Sequence, residues 1–184
     1  MATMGYLKNE DFIEINSVKR IIEDETIDNN ILKIRENLLE DIKKDTKALY
    51  YAIKYLDPNL NILTIEFFEQ IVETKKFAIQ YIPNDCITDK MIWTIIKGKN
   101  PRHLVHIPND RITKEMENAI IDTFKMPGLQ SYLRYMGERL SLESVKRIIL
   151  KTRKDYRFYL SKYIPEEFLI DEIKELVCPG WSKQ

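Results

Sequence analysis

Apolar residues recur along this chain in a pattern that repeats at a nearly constant step. The stretch FAIQYIPNDCITDKMIWTII at residues 77–96 is followed by RHLVHIPNDRITKEMENAII at 102–121, and the two share IPND-x-IT-x-x-M. Three weaker copies have a tyrosine at the position that Tyr81 and His106 occupy: Tyr55, Tyr135 and Tyr163. A step within about 20–50 residues is typical of stacked repeats, so we expect one structural unit copied along the chain.

Each copy has the same order of helix-breaking and helix-forming residues. The aromatic position is soon followed by a proline, or by a glycine in one copy, and then by an aliphatic residue. A Thr or Ser comes next and is placed as the N-cap of a helix whose apolar residues have the spacing of one face: Thr64, Thr88, Thr113 and Ser141. We name this predicted helix A, and the helix that ends before the proline helix B. Each repeat is thus predicted to contain two short helices of about ten residues.

Helices this short bury their apolar faces only by packing against neighbours, since an isolated helix needs about 12–15 residues to be even marginally stable. The predicted fold is therefore all-α, an α-solenoid-like stack of short helix–turn–helix repeats. The alternative is an irregular helical bundle. We expect a single all-helical repeat domain over residues 8–178, a disordered start at 1–7 and a C-terminal tail at 179–184.

Composition is that of a soluble globular protein without a strong overall charge. Of the 184 residues, 44% are hydrophobic and 32% are charged, and the formal net charge is zero. No overall field therefore attracts nucleic acid or a membrane surface. Cys86 and Cys178 lack metal-binding or redox spacing, so we expect reduced thiols. We recognise no secretory leader or membrane-spanning run, and we expect a cytoplasmic protein, in the host cytoplasm if the source is a virus.

Charge is distributed unevenly although it sums to zero. Residues 134–162 are strongly basic, and the cations that we expect to contact a partner are Arg147, Lys151, Arg153, Lys154 and Arg157. Tyr156 and Tyr159 lie among them and are placed to stack on unpaired bases. The alternative is that Tyr159 faces the core and the cations form a solvated helix face. An uneven distribution of this kind can steer an oppositely charged partner.

Trp93 is a further candidate for partner contact. It follows Met91 and Ile92 on a predicted helix A, and the aligned positions of other copies are polar. A polar position indicates exposure, and an exposed tryptophan is a frequent anchor of protein interfaces. Burial of Trp93 by a neighbouring repeat is the alternative.

Motifs for catalysis or metal binding are absent from the sequence. His103 and His106 have the spacing of a ligand pair, but His106 stands where other copies have tyrosine, and a metal site needs three or four converging ligands. Cys86 would have only these two histidines as a base. There is no glycine-rich phosphate loop and no GxSxG or HExxH motif. We therefore expect neither an enzyme nor a bound cofactor or metal.

The recurring unit resembles a known repeat. The segments that carry the likeness combine an aromatic residue, Ile-Pro, an acid and an aliphatic residue before a short helix: 77–96, 103–121 and 159–177. They are similar to a two-helix Y-I-P-x-D/E repeat of about 25–29 residues and unknown function, found in bacterial effector-like proteins, protists and large DNA viruses. The resemblance implies an α-solenoid and supplies no catalytic residues. Tyr135-Met136-Gly137 departs from the motif.

The predicted function is to bind another macromolecule, in the first place a protein with an acidic surface, through a rigid scaffold of stacked helices. A phage- or pathogen-encoded inhibitor of a host or defence protein fits this build by analogy. The alternative is an RNA- or single-stranded nucleic-acid-binding module that uses basic residues 134–162. No membrane partner is expected. The identity of the partner and the oligomeric state stay open.

Overall fold

Helices make up the regular secondary structure of this protein in the part that the computed structural model describes, residues 31–125, 128–136 and 139–179. No strand occurs in those ranges, so the prediction of an all-α fold is confirmed for them. The predicted start at 1–7, and the predicted tail beyond residue 179, lie outside the described residues. The chain divides into two compact units, Met1–Thr88 and Asp89–Gln184. The single repeat domain over 8–178 stays a prediction.

Each unit is built from short α-helices joined by 3₁₀ helices. The α-helices of the first unit are α1 (Ile31–Lys44), α2 (Lys47–Tyr55) and α3 (Ile65–Thr74). Those of the second unit are α4 (Asp89–Lys97), α5 (Lys114–Thr123), α6 (Gly128–Met136), α7 (Leu142–Lys151), the single turn α8 (Lys154–Arg157) and α9 (Asp171–Val177). The 3₁₀ helices are Pro58–Leu60, Lys76–Tyr81, Asn84–Cys86, Pro101–His106, Asn109–Arg111, Phe158–Tyr163 and Glu166–Phe168.

The hydroxyl residue of the repeat begins helix A as predicted. Thr64, Thr113 and Ser141 are the N-caps of α3, α5 and α7, and each lies in extended backbone. Each hydroxyl oxygen accepts a hydrogen bond from the N–H three residues later, at 3.3, 3.2 and 3.2 Å. These bonds satisfy a donor that the start of a helix leaves without a partner. Thr88 stands directly before α4, and its hydroxyl donates to Glu69 Oε1 at 2.7 Å.

Helix B differs from the prediction of a ten-residue helix. Three copies have a 3₁₀ helix of six residues instead: Lys76–Tyr81, Pro101–His106 and Phe158–Tyr163. In two of these copies buried residues lie three apart, Ile79 and Ile82 in one and Pro101 and Leu104 in the other, whereas Leu160 and Ile164 of the third are four apart. A 3₁₀ helix has three residues per turn and places Pro101 and Leu104 on one face. The buried residues of α6 instead follow the three-and-four spacing of an α-helix: Leu129, Tyr132, Leu133 and Met136.

The turn after helix B has the same backbone in these three copies. Ile82, Ile107 and Ile164 are extended, with ψ angles of 131°, 129° and 126°. The following proline disfavours the helical conformation at the residue before it, and so ends helix B. A three-residue 3₁₀ turn comes directly after the proline in each case. Copies of the sequence motif therefore have the same local structure.

Aliphatic side chains form the core of each unit. In the first unit α1 packs against α2 and α3, and Leu38 and Ile42 are fully buried. In the second unit α5 and α9 both pack against α7, and Ile120 and Ile148 are fully buried. Burial of one such side chain contributes about 1.5–3 kcal/mol. None of the described helices is both long enough and apolar enough to cross a membrane.

His106 occupies the tyrosine position of the repeat and is partly buried. Burial lowers the pKa of its imidazole below the usual value, so folding favours the neutral ring. As the pH falls from about 7.5 to about 5, through the usual histidine pKa, the unfolded chain takes up this proton more readily than the folded chain. The free energy of unfolding therefore falls over that window.

His106→Tyr, which restores the residue of the other copies, is expected to make this loss of stability smaller. Urea denaturation of both proteins at the two pH values measures the difference. The carboxylates of the chain titrate in both proteins and cancel in the comparison. An identical pH dependence in the variant would contradict the assignment of this loss to His106.

Candidate partner-binding surface

The five cations predicted to contact a partner divide into two groups in the structure. Three of them donate hydrogen bonds to oxygens at the ends of helices in the second unit: Arg147, Lys151 and Arg157. The other two, Arg153 and Lys154, lie at the start of α8 and bond to no helix end; both are exposed, as Lys151 is. The predicted set is thus brought together in one unit, but its members have different roles.

Lys151 donates hydrogen bonds to carbonyl groups at the end of α5. Its Nζ donates to the carbonyl oxygens of Ile121 and Asp122, both at 2.5 Å. These carbonyls belong to the last turn of α5, where no N–H of the helix is available to reach them. Arg147 adds an ion pair with the Asp122 carboxylate at 3.1 Å and a hydrogen bond to the side chain of Asn118. The two cations therefore join α7 to the end of α5.

Arg157 has the same role at the end of α7. Its Nε donates to the carbonyl oxygen of Thr152 at 2.9 Å, and an Nη donates to that of Leu150 at 3.1 Å. The carboxyl end of a helix carries partial negative charge, so a cation is favourable there. Replacing Arg157 therefore alters the stability of the fold as well as any binding.

Trp93 lies on α4 and is partly buried. The sequence leaves exposure and burial of this side chain open, and the structure lies between the two. Its neighbours Met91 and Ile92 are both buried in the second unit. Part of the indole is therefore available for contact, but it does not project from the unit as an exposed anchor would.

Three aromatic side chains are exposed beside Arg153 and Lys154. Tyr156, Phe158 and Tyr159 are 48%, 56% and 55% exposed. The ring centroids of Tyr156 and Tyr159 are 6.4 Å apart, and those of Phe158 and Tyr159 are 6.0 Å apart. The guanidinium of Arg153 lies 5.6 Å from the centre of the Tyr156 ring, within the range of a cation–π contact. We name these five residues the aromatic–basic surface.

The local fold explains why these rings are exposed. The single turn α8 runs directly into the 3₁₀ helix Phe158–Tyr163, in which Leu160 is the buried residue. Burial of Leu160 turns the rings before it toward solvent. Arg153 pairs with Asp155 at 3.0 Å, whereas Lys154 has no ion pair or hydrogen bond with any described residue. The surface is thus apolar at its centre, with charges of both signs beside it.

Exposure of Tyr159 follows a pattern visible in the repeat. The equivalent residues are Phe77 in one copy and Arg102 in another, and both are exposed. Comparison of the copies therefore favours exposure of Tyr159 over burial. Phe158 is the residue of the aromatic–basic surface that the sequence does not predict. The repeat gives no indication of its exposure, because its equivalents are the partly buried Lys76 and the buried Pro101.

The surroundings of the candidate metal ligands and of the Cys86 thiol can be described directly. Among the side chains that the structure describes, no group of three or more His, Cys, Asp or Glu residues could hold a metal ion. Burial and the neighbouring Asp85 carboxylate raise the pKa of the Cys86 thiol above its usual value. A raised pKa reduces the fraction of thiolate, the form that acts as a nucleophile.

The chain matches no protein-family model, no curated protein and no solved structure. What the protein does is therefore inferred from the geometry of its described residues.

Proposed function

We propose that this protein binds another protein through the aromatic–basic surface, and that the partner presents apolar side chains surrounded by acidic ones. The exposure of three contacting aromatic rings beside Arg153 and Lys154 carries the proposal. Tyrosine is enriched among the residues that dominate binding energy in interfaces. A contiguous exposed apolar patch is typical of a surface that another molecule covers.

The scaffold in this proposal is a stack of two-helix repeats like those that the Y-I-P-x-D/E motif resembles. The common turn geometry after Ile82, Ile107 and Ile164 supports it. A stack of repeats offers a rigid surface whose residues vary from copy to copy, as the position of Tyr159 does. A cytoplasmic inhibitor encoded by a phage or pathogen is the biological setting that we propose by analogy.

A protein partner is favoured over a single strand of nucleic acid because three of the five predicted cations are already bonded at helix ends. Single-strand binders follow the phosphate backbone with a positively charged groove. Arg147, Lys151 and Arg157 instead donate to oxygens at the ends of α5 and α7. Arg153 and Lys154 remain, and two cations beside an apolar centre suit the polar rim of a protein interface.

The proposed test compares the proteins that three forms of the chain capture from the native cytoplasm. Tyr159→Ala removes the central ring of the aromatic–basic surface. Tyr50→Ala is the matched control, because Tyr50 is 44% exposed and belongs to the first unit. A true partner is expected to bind the wild type and Tyr50→Ala alike. It should bind Tyr159→Ala at least about 30-fold more weakly, the loss of about 2 kcal/mol that marks a dominant contact.

Calorimetric titration of the purified partner measures these affinities. Unchanged affinity in Tyr159→Ala would show that the aromatic–basic surface is not the binding site. If nuclease abolishes capture and the affinity falls steeply with salt, the ligand is nucleic acid instead. Lys154→Glu would then weaken binding and reduce its salt dependence.

A further inference from the structure

A second group of cations surrounds a cavity of about 510 Å³ in the second unit. The cavity lies where the chain passes from α4 into the 3₁₀ helix Pro101–His106, and where it passes from α5 into α6. None of the residues of the aromatic–basic surface lines it. Its described lining residues include no carboxylate and three cations: Lys99, Arg102 and Lys125. A cleft lined by charge of one sign concentrates ligands of the opposite sign, so this cavity is suited to an anion.

Lys99, Arg102 and Lys125 differ from the cations that hold helix ends in this protein. Lys151 and Arg157 donate hydrogen bonds to carbonyl oxygens at the ends of α5 and α7. The three cations of the cavity are exposed, and none of them makes an ion pair or a side-chain hydrogen bond with any described residue. Their charges are therefore available to a ligand.

Lys99 has a backbone conformation that lysine rarely adopts. Its φ is 57°, in the left-handed region, which glycine adopts readily and asparagine more readily than most other residues. Both types stand beside it in the chain, as Gly98 and Asn100, yet the lysine occupies the strained position. Backbone strain of this kind clusters at functional sites. It supports a role for the Lys99 side chain other than stability.

The backbone that carries the cations is held in place by buried neighbours. Pro101 is buried at the start of its 3₁₀ helix, and Asn100 Oδ1 caps this helix by accepting a hydrogen bond from the N–H of Arg102 at 3.2 Å. Phe124 is also buried, and its ring centroid lies 6.3 Å from that of Tyr132. A ligand therefore meets a preorganised backbone and has fewer groups to order on binding.

We propose that this cavity binds a small organic molecule that carries two phosphate groups. The phosphate oxygens accept hydrogen bonds from Lys99, Arg102 and Lys125. The side chains of Thr123 and Ser131 also line the cavity and add hydroxyl donors. A single phosphate ester carries about 1.5–2 negative charges near pH 7, so two phosphate groups match three cations more closely than one does. The cavity volume equals that of about 17 water molecules in the liquid, which leaves room for the organic part.

The test is a titration of the ¹⁵N-labelled protein with sodium pyrophosphate, followed by NMR, with sodium chloride at matched ionic strength as the control. Pyrophosphate is expected to shift the amide signals of Lys99, Arg102, Lys125 and Ser131 saturably, and chloride is not. Adenosine diphosphate is expected to bind at least as tightly as pyrophosphate, because the cavity is larger than the diphosphate group. Adenosine lacks the phosphates and is expected not to bind.

Arg102→Gln is expected to raise the Kd for pyrophosphate at least about tenfold, because arginine binds phosphate through two parallel charge-assisted hydrogen bonds. Lys97→Gln is the matched control. Lys97 is exposed at the end of α4 and does not line the cavity, so its loss should change the Kd by less than about twofold. Lys99→Asn keeps a residue suited to the left-handed conformation. It is expected to weaken binding about threefold without lowering the Tm.

The proposal is overturned if pyrophosphate gives no saturable shifts at these amides, or if adenosine diphosphate does not bind. It is also overturned if sodium sulfate binds as tightly as pyrophosphate, because the cavity would then accept any anion. Equal losses in Arg102→Gln and Lys97→Gln would contradict it, since net charge would be the cause. Tighter binding of single-stranded oligouridylate than of adenosine diphosphate at the same amides would assign the cavity to nucleic acid instead.

Discussion

Leu133→Ala is expected to lower the free energy of unfolding by about 2–5 kcal/mol, the usual cost of a cavity left by a buried leucine. Leu133 lies on α6 and is inaccessible to solvent. This helix packs against the 3₁₀ helix Pro101–His106. Neither element is long enough to be stable alone, so the packing between them supplies the stability that local propensity does not. Urea denaturation followed by circular dichroism measures the change.

Leu150→Ala is the matched control for this effect. It removes the same atoms from a helix of the same unit, but Leu150 is 56% exposed. Exposed substitutions usually change stability by less than about 0.5 kcal/mol. Equal losses in Leu133→Ala and Leu150→Ala would mean that α6 does not form part of a packed core, and would contradict the assignment of buried positions in this unit.

The structure explains why helix A was predicted well and helix B was not. Helix A is marked by a capping hydroxyl and by apolar residues at three-and-four spacing, and both marks are local in sequence. Helix B is marked mainly by the proline that ends it, which says nothing about the type of helix before it. The choice between α and 3₁₀ depends on which face is buried. The motif does not fix that face: buried residues are three apart in the copy with Pro101 and Leu104 but four apart in the copy with Leu160 and Ile164.

Charge patterning predicts the location of cations but not their partners. Lys151 and Arg153 both appear in a basic stretch, and nothing local separates them. In the structure Lys151 bonds to carbonyls about thirty residues earlier in the chain, whereas Arg153 bonds to a carboxylate two residues away. A sequence pattern cannot predict which cation bonds to the end of a distant helix, because that contact depends on how the two helices pack.

A cavity of about 250 Å³ in the second unit, with Lys114, Tyr132 and Arg139 among its lining residues, shows the same limit more strongly. Lys114, Tyr132 and Arg139 come from different elements, and their spacing along the chain follows no motif. Tyr132 has the spacing of an ordinary core residue of α6, and only the tertiary structure places it at a cavity wall. Sequence patterns therefore predict the elements of this protein, while the convergence of polar groups arises from how those elements pack.

Lys151→Glu is expected to lower the free energy of unfolding by about 2–3 kcal/mol. The substitution removes two charge-assisted hydrogen bonds to the last turn of α5, a loss within the usual range for bonds to charged groups. It also places a carboxylate beside the carbonyl oxygens of Ile121 and Asp122, where the end of the helix already carries partial negative charge. Denaturation in urea at low salt gives the difference from the wild type.

Lys154→Glu makes the same change of charge three residues away and is expected to cost less than about 0.5 kcal/mol. Lys154 is exposed and has no ion pair or hydrogen bond with any described residue, so its charge holds no helix end in place. The contrast between the two variants therefore separates the structural cations from those available to a partner. If both variants lost the same stability, the loss would be caused by the change in net charge and not by the capping of α5. Lys151 and Lys154 would then have no different roles in the fold.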